Sequence, residues 1–257
     1  MTNQITLTGS IVLFKENLAD LDKTINCFLN IELPKKLYLI DNTSTKFYEY
    51  VFVHKDIEYI AVENNIGFGS AHNKVIKEIT NKSKFHLILN PDVSFKPNVV
   101  PNLIDKLDIE KSVSMIAPKV VFPNGEHQFS CRRYPTSLEL IIRRTNFLKP
   151  IFKNIVDKGE YKDKDLSKPF NPEYITGCFQ LYKTKDLIEI KGFDERYFLY
   201  MEDVDICKKI DMTNKEKLYY PEEKITHILK QGSSKSFKLF FRHLTSAFKY
   251  YRKWGFS

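Results

Sequence analysis

Short β-rich runs alternate with helical patterns through the first half of this chain. SIVLF (residues 10–14) reads as a buried strand, and the next segment places Leu18, Leu21, Ile25 and Phe28 on one helical stripe. KLYLIDN (36–42) is a second strand ending in Asp41, and IEYIAV (57–62) is a third. A helix is predicted from about Ser70 through Ile79, with Ala71, Val75, Ile76 and Ile79 turned inward. FHLILN (85–90) is a fourth strand, stopped by Pro91. Such alternation implies βαβ units, right-handed crossovers and a mostly parallel α/β sheet. Ligands of such sheets sit beyond the carboxyl ends of the strands. That rule lines up Phe14-Lys15, Asp41-Asn42, Asn64-Asn65 and Asn90-Asp92 along one rim.

The second half is less regular. MIAPKVVFPNGEHQFS reads as two strands joined by a turn at Asn124-Gly125. Residues 150–170 are charged and poorly periodic, and are expected to form a mobile loop, a candidate active-site flap. EYITGCFQLYKT returns to strand character. No internal repeat or low-complexity linker divides the chain.

With 257 residues and 42% hydrophobic content, one large domain with a substantial core is expected and disorder is excluded. No apolar run approaches the ~20 residues that span a bilayer. The N-terminal residues show neither a basic segment before an apolar stretch nor a small-residue cleavage site, so a cytoplasmic location is expected. Cys27, Cys131, Cys178 and Cys207 are scattered without a CxxC pair, against a zinc knuckle or a disulfide framework. A net charge of +8 suits nucleic acid, an anionic membrane face or phosphate-bearing substrates.

Four stretches could carry chemistry. NNIGFGSAHN (64–73) lies at a strand-to-helix junction, where Gly67 and Gly69 allow close backbone approach to a ligand, or simply a tight turn. LNPDV (89–93) puts Asp92 where a carboxylate can reach a metal bridging a diphosphate, and an Asx turn fits the same residues. His227 follows the strand EKIT; a lone histidine is ordinarily packed or on the surface unless a carboxylate lies close in space. FLYMEDVDIC (198–207) crowds Glu202, Asp203 and Asp205 among apolar neighbours. By itself this cluster fits the first turn of a helix, whose dipole favours carboxylates. On such a helix Glu202 and Asp205 share a face while Asp203 points elsewhere.

Taken in order, SIVLFKEN, LIDNTST, ENNIGFGSAHN, LILNPDV, YITGCFQLYKTKDL, GFDERYFLYMEDVDICKKI and ITHILKQGSS resemble the family 2 glycosyltransferases of the GT-A fold. The likeness is greatest to the rhamnosyltransferase-like branch that builds bacterial surface polysaccharides. It runs from residue 10 to about 234, nearly the whole chain. The resemblance implies a Rossmann-like sheet with helices on both faces, a catalytic domain over residues 1–233 and a tail over 234–257. It implies a donor site of Phe14, Asp41, Asn65, Gly67, Phe68, Gly69, Asn73, Asn90 and Asp92, with Asp41 near the nucleotide base. Asp92 and His227 would hold a divalent ion, Mn2+ or Mg2+, although Asn90 replaces the first Asp of the usual DXD. Asp203 would be the catalytic base with Glu202 beside it, and Gly177, Asp194, Glu195 and Asp205 would face the acceptor.

The implied reaction is inverting transfer of one sugar, with rhamnose favoured by the branch. The donor would be UDP- or dTDP-linked, and the acceptor a saccharide or lipid-linked saccharide in O-antigen, capsule or cell-wall synthesis. Two other classes are a sugar nucleotidyltransferase, which wants an early basic phosphate loop that is not visible, and a non-catalytic nucleotide or nucleic-acid binder. The binder leaves the carboxylates unexplained, and nucleic acid is not an expected partner. The tail places Phe237, Phe240, Phe241, Leu244, Phe248 and Tyr251 on one helical stripe, with Lys235, Lys238, Arg242, Lys249, Arg252 and Lys253 as its cations. It is expected to pack on the domain, to rest on the anionic inner leaflet of the plasma membrane, or both.

Overall fold

A computed structural model describes residues 5–43, 45–49, 51–144, 148–229 and 237–255. In chain order the first elements are β1 (Ile5–Leu13), α1 (Leu18–Leu29), β2 (Lys35–Asp41), β3 (Ile57–Ala61), α2 (Phe68–Ile76), β4 (Ser83–Leu89), β5 (Val93–Ser94) and α3 (Val99–Ile109). There follow β6 (Val113–Val121), β7 (Cys131–Arg132), α4 (Ser137–Arg144), α5 (Leu148–Ile151), α6 (Lys153–Gly159), β8 (Tyr174–Ile175) and β9 (Phe179–Lys183). The last are α7 (Thr184–Glu189), α8 (Glu202–Asp211), β10 (Glu216–His227) and α9 (Phe237–Trp254).

Among the described residues, eight strands form the main sheet in the order β3-β2-β1-β4-β9-β6-β10-β5. β1 runs parallel to β2 and β4, β2 to β3, and β6 to β10. β9 is antiparallel between β4 and β6, and β5 is antiparallel to β10. β1, β2, β3, β4, β6 and β10 therefore point the same way, and their carboxyl ends share one rim. The sheet is mostly parallel, as the alternating pattern predicts.

Local chemistry accounts for the elements. β1 is buried from Leu7 to Leu13 and β2 from Leu37 to Asp41, the unbroken runs of strands covered on both faces. Ile11 and Leu13 pack with Phe28 of α1 and Leu103 of α3, while Val12 packs with Val75 of α2 on the other face. The Asn17 side chain caps α1 by accepting the Ala19 and Asp20 N–H groups at 3.0 and 3.1 Å. Leu18, read as inward, is exposed at the helix start. Within the sheet, Thr8, His86, Ser10 and His72 form a buried hydrogen-bonded chain with links of 2.8 to 2.9 Å. Burial pushes His86 down to about 3, so its ring serves this chain uncharged.

Residues 150–170 differ from the mobile loop read in the sequence. α5 and α6 occupy the first part, Tyr161 is buried, and the Arg133 guanidinium grips Asp163 through two bonds of 2.8 and 2.7 Å. The helices are too short to print a 3.6-residue pattern, and the charges are used in pairs. The Asn124-Gly125 turn is present, with Gly125 N–H donating to the Phe122 carbonyl at 2.8 Å. Its returning limb makes only an isolated bridge, Val121 to His127, rather than a strand.

The C-terminal helix is fastened to the body of the fold. The expected boundary at residues 233 and 234 lies outside the described residues, as do the Phe237 and Lys238 side chains. Ser246, Ala247, Tyr250 and Tyr251 are the buried residues of α9, whereas Phe241 (63%), Leu244 (48%) and Phe248 (59%) face outward. The single stripe of the helical wheel is thus divided. The cations are divided as well: Arg242 lies 3.8 Å over the Phe198 ring and Lys249 donates to the Arg196 carbonyl at 2.6 Å. Lys253 pairs with Asp194 at 2.8 Å and Asp205 at 2.7 Å.

Asp205 is 0% exposed and also accepts bonds from Trp254 Nε1 at 2.7 Å and the Tyr197 hydroxyl at 3.1 Å. Removing the ammonium from such a carboxylate leaves a buried charge undercompensated. Lys253→Ala is expected to lower stability by about 3 kcal/mol in urea unfolding. A loss below ~1 kcal/mol would contradict the clamp.

Candidate active site

The ends of β1, β2 and β3 enclose a cavity of about 680 Å³ lined by Phe14, Lys15, Asn42, Thr43, Phe47 and Asn65, among others. Asp41, expected beside the base, lies beneath it rather than in its wall. Its Oδ1 accepts the Thr43 N–H and hydroxyl at 2.7 and 2.6 Å, and its Oδ2 accepts the Tyr59 hydroxyl at 2.5 Å. Burial and the bond to Asp41 hold the Tyr59 phenol well above its ordinary value, so it stays a donor. Asp41 therefore shapes the pocket through Thr43.

The NNIGFG loop is bound to the segment that leads into α8. Asn65 Oδ1 accepts the Gly67 N–H at 2.9 Å, and Asn42 donates to the Gly67 carbonyl at 3.1 Å. Gly67 has φ +92°, and a Cβ there would stand 2.3 Å from the Phe198 carbonyl oxygen. The next N–H, of Phe68, donates to that same oxygen at 3.1 Å. Only glycine suits both the left-handed φ and the close approach. Gly69 lies against the Phe193 side chain, and Phe68 packs edge-on to His72 and Phe193.

Asn73 differs from its expected donor role. Its amide donates to the Phe193 carbonyl at 2.8 Å and to Glu195 at 3.0 Å, and its Oδ1 accepts the Phe193 N–H at 2.9 Å. It buttons α2 to the loop before α8. Glu195, read as acceptor-facing, is held by Asn73 and by Lys77 at 3.0 Å. Asp194 is held by Arg196 and Lys253, with Arg196 foremost in keeping its carboxyl well below the usual range. Neither lines the two cavities described here.

At the other end of the rim, β5 and β10 pair His227 with Val93 and bring Asp92 beside the imidazole. Asp92 Oδ1 stands 3.2 Å from His227 Nε2, and the Asn90 amide nitrogen stands 3.3 Å from it. Gln128, which nothing in the sequence singled out, sets the ring. His227 Nδ1–H donates to its Oε1 at 2.6 Å, while its amide donates to the His227 carbonyl at 3.3 Å. Nε2 is thereby the atom presented to Asp92. Burial pushes this imidazole down, but the nearby Cys178 sulfur and the Asp92 carboxylate outweigh it and raise it to about 10. A divalent ion would displace the Nε2 proton, and the carboxylate and bare imidazole nitrogen would then suit an ion that completes its shell with phosphate oxygens and water. Among the described residues no group of three or more His, Cys, Asp or Glu side chains forms a self-sufficient metal cage.

α8 begins after two consecutive left-handed residues, Tyr200 (φ +69°) and Met201 (φ +68°). Such strain is tolerated where surrounding structure enforces it, and it is frequent at functional sites. The turn starts the helix in the wall of a second cavity, of about 280 Å³, so Glu202 and Asp203 both line it. Asp205 faces the opposite way, into the α9 clamp, which differs from the wheel reading and from its expected acceptor role. Asp203 Oδ1 accepts the Val204 N–H at 2.9 Å and Oδ2 accepts the Gly177 N–H at 3.3 Å. Gly177 therefore touches the Asp203 carboxylate, and the space a Cβ would fill there is bounded by the Phe68 ring at 3.3 Å.

Burial raises both carboxyls of the pair, Glu202 further, with Asp203 the second cause. The backbone N–H bonds favour the charge on Asp203, whereas burial and the neighbouring Asp203 favour the neutral form of Glu202. Glu202 Oε2 is buried and has no partner. Arg132, Arg143 and His243 complete this cavity. None stood out in the sequence, because the three lie far apart in the chain and come from different elements.

A cleft and a half-buried carboxylate thus stand on the rim of a mostly parallel α/β sheet of GT-A type. Residues 10–191 match glycosyl transferase family 2, and the chain belongs to that family. It is a glycosyltransferase. Rhamnosyltransferase WbbL of Escherichia coli (strain K12) is 25% identical over 224 residues, covering 84% of this chain and 81% of its own. The N-acetylglucosaminyl-diphospho-decaprenol L-rhamnosyltransferase of Mycobacterium tuberculosis (strain ATCC 25618 / H37Rv) is 24% identical over 211 residues, covering 77% and 68%.

Among solved structures, GalNAc-T7 with UDP, GalNAc and Mn2+ has a TM-score of 0.65 at 15% identity. The match covers 89% of this chain but only 44% of that one. The mannosyltransferase PcManGT from Pyrobaculum calidifontis, with GDP-Man and Mn2+, has a TM-score of 0.64 at 15% identity, covering 98% and 65%.

Proposed function

We propose that this glycosyltransferase moves a sugar, with rhamnose the first candidate, from a nucleoside diphosphate to a saccharide or lipid-linked saccharide hydroxyl, with inversion. Asp203 carries the reading: a carboxylate held by two backbone N–H groups beside a neutral carboxyl, in a cavity next to the donor loop. The rhamnosyltransferase relatives support the sugar, and the name of the mycobacterial one supports a lipid-linked acceptor. A place in surface polysaccharide synthesis, as O-antigen, capsule or cell wall, is part of this reading, and the rhamnosyltransferase names of the relatives are in keeping with it.

In this mechanism Phe14, Thr43 and Asn65 receive the nucleoside of a UDP- or dTDP-linked donor. Asp203 takes the proton of the acceptor hydroxyl as that oxygen forms a bond to the anomeric carbon. The bond from that carbon to the diphosphate oxygen breaks on the opposite face, and its electron pair leaves with the nucleotide. Asp92 and His227 would hold Mn2+ or Mg2+, which supplies positive charge to the departing diphosphate when bound. Gln128 keeps His227 turned for that purpose. Fixing donor and acceptor in line supplies much of the remaining rate.

No helix among the described residues is long and apolar enough to cross a membrane. Peripheral contact at the inner face of the plasma membrane fits the outward Phe241, Leu244 and Phe248 of α9 and Leu138 and Ile141 of α4, all exposed. Since Arg242, Lys249 and Lys253 are engaged with the domain, apolar insertion carries more of this contact than charge does.

Asp203→Asn is expected to bind the nucleotide donor normally and to lose transfer by ~100-fold or more. Near-normal turnover would refute the base assignment. Asp92→Ala and His227→Ala are each expected to weaken Mn2+-dependent nucleoside diphosphate binding by calorimetry by ~10-fold or more, the lower scale for disturbed metal sites. Wild-type activity that survives a chelator unchanged would exclude the metal role. Co-sedimentation with anionic vesicles should disappear in the triple variant F241S/L244S/F248S while folding is retained. Unchanged binding would leave the stripe without a membrane role.

A further inference from the structure

The cavity beside Asp203 has a cationic wall that proton removal does not require. Arg132 enters it from β7 and Arg143 from α4. Their guanidinium groups converge on one carboxylate: Glu160 Oε1 is 3.3 Å from Arg143 Nη2 and 3.6 Å from Arg132 Nη2. The other Glu160 oxygen is 3.0 Å from Lys162, which Asp157 shares. Arg143 also donates to Glu139 at 3.2 Å, and Arg132 Nε donates to the Phe129 carbonyl at 2.7 Å. Burial pushes Glu139 up to about 7, so near neutral pH it only partly offsets the arginines. Two fixed guanidiniums thus face a cavity with less than matching negative charge behind them. Each offers five N–H donors in a planar fork, more than these contacts use.

We propose that Arg132 and Arg143 bind the phosphate of a phosphate-bearing acceptor, so that the adjoining sugar presents its hydroxyl to Asp203. The inference rests on the transferase reading above and adds the residues that recognise the acceptor's phosphate. Paired guanidiniums match phosphate oxygens bidentately, which a surface lysine does not. The unpartnered Glu202 Oε2 in the same cavity is a second, independent sign of a polar ligand, because buried polar atoms are seldom left unpaired. A neutral Glu202 carboxyl can pair with a sugar hydroxyl while Asp203 takes the reacting proton. The arginines are positioning and specificity groups, since they meet the acceptor away from the bonds that change.

The test compares three N-acetylglucosamine acceptors: the farnesyl diphosphate-linked sugar, the free sugar 1-phosphate and the neutral octyl glycoside. The donor is whichever in a panel of nucleotide sugars gives enzyme-dependent nucleotide release. The readout is the ratio of kcat/KM for each phosphorylated acceptor to that for the neutral one. Wild type is expected to favour phosphorylated acceptors, and Arg132→Gln and Arg143→Gln to reduce that ratio by ~10- to 100-fold, the scale of a charge-assisted bond. Arg143→Lys should retain charge but recover the ratio only in part. Because a ratio is read, partial loss of folded enzyme cancels.

A larger ratio for the farnesyl diphosphate than for the free sugar phosphate identifies the lipid-linked source, and the reverse order identifies a soluble one. A ratio unchanged in both glutamine variants, or a wild type that favours the neutral glycoside, overturns the proposal. Failure of the transferase reading looks different, with no nucleotide release from any donor.

Discussion

The Phe198 carbonyl oxygen is the point where the two halves of the site depend on one another. It accepts the first N–H of α2 and stands where a side chain at residue 67 would have to be. The NNIGFG loop and the approach to α8 are therefore one structure. A few residues on, Asp205 anchors α8 to Lys253 and Trp254 of the C-terminal helix. The start of α8 is held from two sides, by the backbone close approach at Phe198 just before it and by the buried ion pair at Asp205 in its first turn. Asp203 inherits its position from both. That arrangement also accounts for the left-handed residues Tyr200 and Met201, which sit between the two anchors.

Three carboxylates crowded into four positions have three separate fates, each set by surroundings. Asp205 is taken up by the clamp with Lys253 and Trp254. Glu202, buried with an unpartnered oxygen, is favoured as the neutral form. Asp203, with backbone N–H groups on both oxygens, is the one prepared to accept a proton. The opposite end of the rim follows the same logic, since Gln128 leaves His227 Nε2 directed at Asp92. Sites that place groups of unlike proton affinity near a reacting centre are a recurrent basis of acid–base chemistry.

The fold was largely legible because parallel strands buried on both faces print compact apolar runs, as in SIVLF and FHLILN. The rim residues followed from strand ends alone. Sequence could not say how a polar residue spends its hydrogen bonds, so Asn73, Asp194, Glu195 and Asp205 read as ligand contacts although they tie elements together. Asp41 is similar, supporting Thr43 from beneath. Gln128, Arg132, Arg143 and His243 were silent because each comes from a different element with no local period. Residues 150–170 misled because charge without periodicity looks mobile, whereas short helices stabilised by ion pairs look the same on paper. The tail was half legible: amphipathic as expected, yet docked through Ser246, Ala247, Tyr250 and Tyr251, of which only Tyr251 belongs to the aromatic stripe.

The central claim is that one carboxylate, Asp203, activates the acceptor for direct displacement at the anomeric carbon. Product stereochemistry tests this most directly, by NMR of the new linkage formed from a donor of known anomeric configuration. A single displacement inverts that centre, so the opposite configuration is the expected result. A product that retains the donor configuration would contradict the role given to Asp203.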